Sequence, residues 1–157
     1  MKHTISVLVE NKFGVLARIS GLFSARGYNI NSLSVSETHD PTMSCMTIVI
    51  DAADERILEQ IKKQLNRLID VITVSDLTKK EHVERELMLV KVAVKAKDKP
   101  KVKQLARKFN AVISGTKNDC IILDITAEQG RIDAFLNALK GFKISELVRT
   151  GKIAMVK

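Results

Sequence analysis

Over residues 4–10 the apolar positions Ile5, Val7 and Val9 alternate with Ser6 and Leu8, the period of two that marks a strand with one buried face. After Gly14 the period changes. Val15, Leu16, Ile19, Leu22 and Phe23 recur at helical spacing, and Arg26-Gly27 supplies a basic last turn and a glycine stop. Residues 29–37 read as a strand whose apolar parity switches between Ile30 and Leu33, which predicts a bulge or a change of buried face. The polar turn Thr38-His39-Asp40-Pro41 leads to Met46, Ile48 and Ile50, interleaved with Cys45, Thr47 and Val49 in a run apolar enough for a central strand. Ala53-Asp54-Glu55 opens a second helix with acidic residues at its start, and Ile57, Leu58, Ile61, Leu65 and Leu68 form its stripe. Residues 69–77 predict a fourth strand.

The order βαββαβ fits a four-stranded antiparallel sheet with two helices on one face. Residues 78–86 are charged and lack a clear period, as a linker would. The order then repeats. Residues 87–94 predict a strand, Asp98 and Pro100 mark a helix start, and Val102, Leu105, Ala106 and Phe109 stripe that helix. Residues 111–116 and 120–126 are strands joined by Lys117-Asn118-Asp119; Ile132, Phe135, Leu136 and Leu139 stripe a helix stopped at Gly141; residues 142–149 form the last strand. The fold class is therefore α+β, with two ferredoxin-like βαββαβ domains at 1–77 and 87–157 joined by a linker at 78–86. Each small unit leaves sheet edges unpaired, which invites edge-to-edge association into at least a homodimer.

Composition sharpens this picture in two places. Aromatic residues make up 4% of the chain, so the cores must be aliphatic. The net charge of +8 is lopsided: residues 1–80 carry ten Lys/Arg against nine Asp/Glu, and residues 81–157 carry sixteen against nine. Cys45 and Cys120 lie far apart without metal-like spacing, which fits buried thiols in a reducing compartment and points to the cytoplasm. The first strand begins almost at Met1, leaving no room for a leader, and no apolar run approaches the roughly 20 residues of a membrane span.

The stretch with most chemical content is Glu10-Asn11-Lys12-Phe13-Gly14-Val15-Leu16, continued to Asn29 and Ile30. Gly14 permits a tight turn and close approach, and the amides after it are the unpaired first donors of a helix, suited to a carboxylate. Asn11 and Asn29 offer amide oxygens to an ammonium group. Together they outline a site for a small amino acid, although the same residues also serve simply as turn and capping residues. Catalysis finds less support. His3, His39 and His82 read as exposed terminal, turn and linker residues, and Glu81, Glu84 and Glu86 as solvated charge; there is no P-loop and no Rossmann fingerprint. The run Lys95, Lys97, Lys99, Lys101, Lys103, Arg107 and Lys108 reads as a solvated face or a docking surface. It lacks the interleaved aromatics of a nucleic-acid reader.

The segments Val9-Glu10-Asn11, Gly14-Val15-Leu16-Ala17-Arg18-Ile19, Gly21-Leu22-Phe23-Ser24 and Arg26-Gly27-Tyr28-Asn29-Ile30 closely resemble the ACT domain of the small, regulatory subunits of acetolactate synthase. So do Asp40-Pro41-Thr42-Met43-Ser44, Gln60-Ile61-Lys62-Lys63-Gln64-Leu65, residues 83–92, Arg131-Ile132-Asp133-Ala134-Phe135 and Glu146-Leu147-Val148-Arg149-Thr150-Gly151, so the resemblance spans nearly the whole chain. It implies a non-catalytic subunit of branched-chain amino-acid biosynthesis. Its partner, the catalytic large subunit, carries thiamine diphosphate, magnesium and FAD; this chain needs no cofactor or metal. The resemblance further implies activation of that subunit and feedback inhibition by valine, bound between two edge-paired ACT domains near Asn11, Gly14, Val15, Leu16, Asn29 and Ile30. Two positions depart from the family pattern: Cys45 replaces a common arginine and Asn31 an acidic residue. The alternative from another class is an amino-acid-responsive regulator that binds nucleic acid; no helix-turn-helix or other reading element supports it.

Overall fold

Strand β1 (Lys2–Glu10) keeps the alternation read from its sequence: Ile5, Val7 and Val9 are fully buried, while Ser6 and Leu8 on the other face are half-buried. It is followed by α1 (Val15–Ser24), β2 (Ile30–Glu37), β3 (Met43–Asp51), α2 (Glu55–Leu65) and β4 (Val71–Asp76). The strands form an antiparallel sheet in the order β2-β3-β1-β4. The inward residues of β1 and β3 meet Val15, Ile19, Leu22 and Phe23 of α1 and Leu58, Ile61 and Leu65 of α2, so both helices cover one face. Each such side chain contributes on the order of 1.5–3 kcal/mol by leaving water. The parity switch in β2 appears as a register shift between Ile30 and Ser32. In this computed structural model residues 1–52 and 54–157 are described. Ala53, expected at the start of α2, lies outside them; Asp54 caps the helix, its carboxylate accepting from Ile57 N at 3.0 Å.

The second half comprises β5 (His82–Ala93), a short 3-10 turn (Ala96–Asp98), α3 (Lys99–Phe109), β6 (Val112–Lys117), β7 (Cys120–Ala127), α4 (Gln129–Ala138) and β8 (Lys143–Arg149). Its sheet runs β6-β7-β5-β8, antiparallel throughout. Met88, Val90, Val92, Ile121, Leu123 and Ile125 pack against Val102, Ala106, Ile132 and Phe135 of the helices. The rings of Phe109 and Phe135 lie 5.3 Å apart. Among the described residues the chain divides into Met1–Val83 with Lys152–Lys157, and Glu84–Gly151.

Several local expectations change. The charged segment 78–86 is a turn only as far as Glu81, and β5 starts at His82. Charged side chains hide its period, and Glu86 is buried because Arg149 donates to both its oxygens, at 2.8 and 2.7 Å. A four-residue strand, β9 (Ile153–Val156), pairs with β5, and Lys157 N donates to Glu81 O at 3.1 Å. Four residues are too few to show a period. His3, read as exposed, is 3% accessible, because β1 already begins at Lys2 and seats His3 opposite Ile50; its Nδ1 has no hydrogen-bond partner among the described residues. Ile69 lies outside β4 and is almost fully exposed.

Candidate functional site

Gly14 occupies the N-cap of α1 with φ 80° and ψ −3°, a left-handed conformation that side chains disfavour. An L-residue at this position would be strained, and no side chain caps the helix. Val15 N donates to Lys12 O at 3.4 Å, which leaves the Leu16 and Ala17 amides as first-turn donors without an intrahelical partner, at the positive end of the helix dipole.

The turn is braced from two directions. Asn11 Nδ2 donates to Glu37 Oε1 at 3.0 Å and to Pro41 O at 2.9 Å, and Asn11 N donates to Thr42 O at 2.7 Å. The Asp40 carboxylate accepts from the Thr42 hydroxyl and N–H, which holds that neighbouring turn in shape and lowers the Asp40 pKa. With both amide protons of Asn11 directed at these oxygens, the carbonyl oxygen of its side chain is the group that remains to accept a hydrogen bond. On the other side, Glu10 N donates to Asp70 O at 2.8 Å, and Arg18 Nε and Nη2 donate to Asp70 Oδ2 at 2.9 and 2.7 Å. Lys12 pairs with Glu10 at 2.6 Å, a hydrogen bond that raises the Lys12 pKa and keeps the ammonium charged. Sequence reading missed Glu37, Arg18 and Asp70. Their partners lie 26 and 52 residues away, and no local pattern announces such contacts.

The six expected residues do not converge within one chain. Asn11, Gly14, Val15 and Leu16 form one group, with the Val15 side chain buried in the core and Leu16 43% exposed. Asn29 and Ile30 lie at the other end of the sheet. His3 and Ile30 are both level with Ile50, whereas Glu10 is level with Met43. At about 3.3 Å per residue, roughly 25 Å separates Asn11 from Ile30. Strand β2, however, is a sheet edge, and Glu37 at its far end carries the hydrogen bond to Asn11. Of the two departures from the family pattern, Asn31 donates to Asp51 Oδ2 at 3.1 Å, and Cys45 sits on the helix-free face with its Sγ 3.7 Å from Ser6 Oγ. Among the described residues, no group of three or more His, Cys, Asp or Glu side chains is placed to hold a metal ion, and no helix is long and apolar enough to cross a membrane.

A βαββαβ sheet with a glycine-started first helix and β2 at its edge is the ferredoxin-like class of fold that ACT domains share, and residues 5–73 match the family model described as the AHAS small subunit-like ACT domain. Residues 85–157 match the model described as the small subunit of acetolactate synthase. The chain belongs to the acetolactate synthase small-subunit family. It is 44% identical over 155 residues to the acetolactate synthase small subunit of Aquifex aeolicus, covering 98% of this chain and 80% of that one. It is 43% identical over 156 residues to the isozyme 3 small subunit of Escherichia coli K12, covering 99% and 95%. The crystal structure of the acetolactate synthase small subunit from Thermotoga maritima superposes with a TM-score of 0.89 at 34% identity, covering 100% of this chain and 98% of that one.

Proposed function

We propose that this chain is the regulatory subunit of an acetolactate synthase. It raises the activity of a catalytic large subunit and makes that activity sensitive to valine. The condensation chemistry, with thiamine diphosphate, magnesium and FAD, belongs to the large subunit. Valine binds between two copies paired through β2, its carboxylate at the α1 amides after Gly14 and its ammonium at the amide oxygens of Asn11 and Asn29.

The observation that carries this reading is the separation of the two groups along the sheet. A two-fold axis between Leu33 and Ser34 would set Ile30 of one copy opposite Glu37 of the other, and Glu37 is bonded to Asn11. Antiparallel pairing of the open edges thus brings Asn29 and Ile30 of one copy to the glycine turn of the second. Each pair of copies would hold two such sites. For the signal to travel, valine must bind one state of the assembly more tightly than another, and by linkage that state must be the less active one.

A complementation experiment tests the shared site. Gly14→Asp spoils one half and Asn29→Ala the other, and each variant alone is expected to lose valine binding in calorimetric titration. Chains unfolded together and refolded as a mixture should regain it, because each mixed pair contains one site with both halves intact. If the mixture binds no better than the separate variants, the site does not span two copies.

A further inference from the structure

The lysine run in the second half does not stay together in space. Lys103 and Arg107 lie on the outer face of α3, and Lys108 sits over the Phe109 ring at 5.9 Å. Lys95, Lys97, Lys99 and Lys101 instead gather at the end of the sheet where β5 stops, and the topology adds three lysines from distant sequence. Lys117 pairs with Cys120, Cys120 with Ala93, and Ala93 with Lys143, so one row of strand ends carries Lys117 on one side and Lys143 on the other. Three strand spacings make that span about 14 Å. Lys140 precedes β8 in the turn after α4. Lys99 is fixed across this end by donating to Asn118 O at 3.1 Å. Two aspartates accompany the seven lysines: Asp98, paired with Lys101 at 3.3 Å, and Asp119. Lys95, Lys97, Lys117, Lys140 and Lys143 are exposed and make no ion pair among the described residues.

We propose that this end of the C-terminal half docks against an acidic face of the catalytic subunit. The roughly 14 Å row from Lys117 to Lys143 is under two Debye lengths at physiological salt, so the charges along it act as a single positive surface. Their chemistry selects the occupant. Lysines are flexible point charges without the planar fork of arginine, which suits a broad acidic face better than one phosphate or carboxylate held in fixed geometry. The helix end nearest them does not cradle a small anion, because Asp98 places a carboxylate at the N-cap of α3. Among the described residues the two rings near this end, Phe109 and Phe142, pack against the core and offer no outward platform for bases. Family membership supplies the partner, a large subunit that every small subunit must meet. The valine site is not needed for this inference.

The test is association of the full chain with its cognate large subunit, followed by interferometry at low and at physiological salt. Lys117→Glu with Lys143→Glu should weaken binding about tenfold or more at low salt and flatten its salt dependence, since steering charges act through the screened field. Lys117→Gln with Lys143→Gln should show a smaller loss in the same direction. Melting curves and valine titration on the same samples should match the native chain, which separates failed docking from misfolding and from the effector site. Unchanged affinity and salt dependence would overturn the proposal. A loss confined to binding of a duplex oligonucleotide, with large-subunit binding intact, would overturn it as well.

Discussion

Gly14 gives the most direct test of the proposed valine site, because conformational and electrostatic costs can be separated there. Its φ of 80° costs an L-residue about 1–2 kcal/mol. A Cβ built at this position meets Arg18 Nη1 at 3.2 Å. Nη1 is the one guanidinium nitrogen not tied to Asp70, and a shift of a few tenths of an ångström relieves the contact, so the backbone term dominates. Gly14→Ala should therefore destabilise the fold by about 1–2 kcal/mol, a fall in Tm of roughly 5–15 °C for a unit of this size. Gly14→Asp should cost no more, since aspartate tolerates the left-handed region better than alanine. What it adds is a negative charge about 5 Å from where the proposed valine carboxylate would lie at the helix end. With an effective dielectric between those of a protein surface and water, that repulsion is about 1–3 kcal/mol, or about 5- to 150-fold in affinity. The assay is calorimetric titration of native, alanine and aspartate chains with L-valine, with melting curves alongside. The comparison of aspartate with alanine decides the matter. If both variants are folded and bind valine within about twofold of each other, the carboxylate does not sit at these amides.

Two further outcomes follow from ion pairs and hydrogen bonds elsewhere. Arg149→Ala strands the Glu86 carboxylate, which is 6% exposed, and should destabilise the chain by about 2–3 kcal/mol; replacing both residues by methionine should recover most of that loss in chemical denaturation. Equal instability of the single and double variants would show that the pair contributes more than the relief of a buried charge. Burial pushes the Asp76 carboxyl upward, but hydrogen bonds from Thr78 outweigh it and hold its pKa below the ordinary value of 3.8. A depressed folded pKa stabilises above the ordinary value and loses that stabilisation as pH falls through the folded one. Native chain and Asp76→Asn should therefore differ in Tm by a constant amount at neutral pH, with the gap closing as pH falls below 3.8. A gap that persists unchanged into stronger acid would refute the assignment.

Sequence alone determined the elements whose periodicity is strong. The alternation of Ile5, Val7 and Val9, the stripe of Ile57, Leu58, Ile61 and Leu65, and the parity switch after Ile30 each recur in the fold, because a period of two or 3.6 is a property of the local backbone. Gly14 as a turn glycine was legible for the same reason. Tertiary structure decided everything that depends on partners far along the chain. It turned charged residues from His82 onward into strand, since Arg149 neutralises Glu86 across 63 residues, and it buried His3, which the sequence placed at a frayed end. It also set Asn11 and Asn29 at opposite ends of one sheet, and drew Lys117 and Lys143 to the lysines that follow β5. Those placements follow from strand order and register, which arise from long-range packing and carry no local period in the sequence.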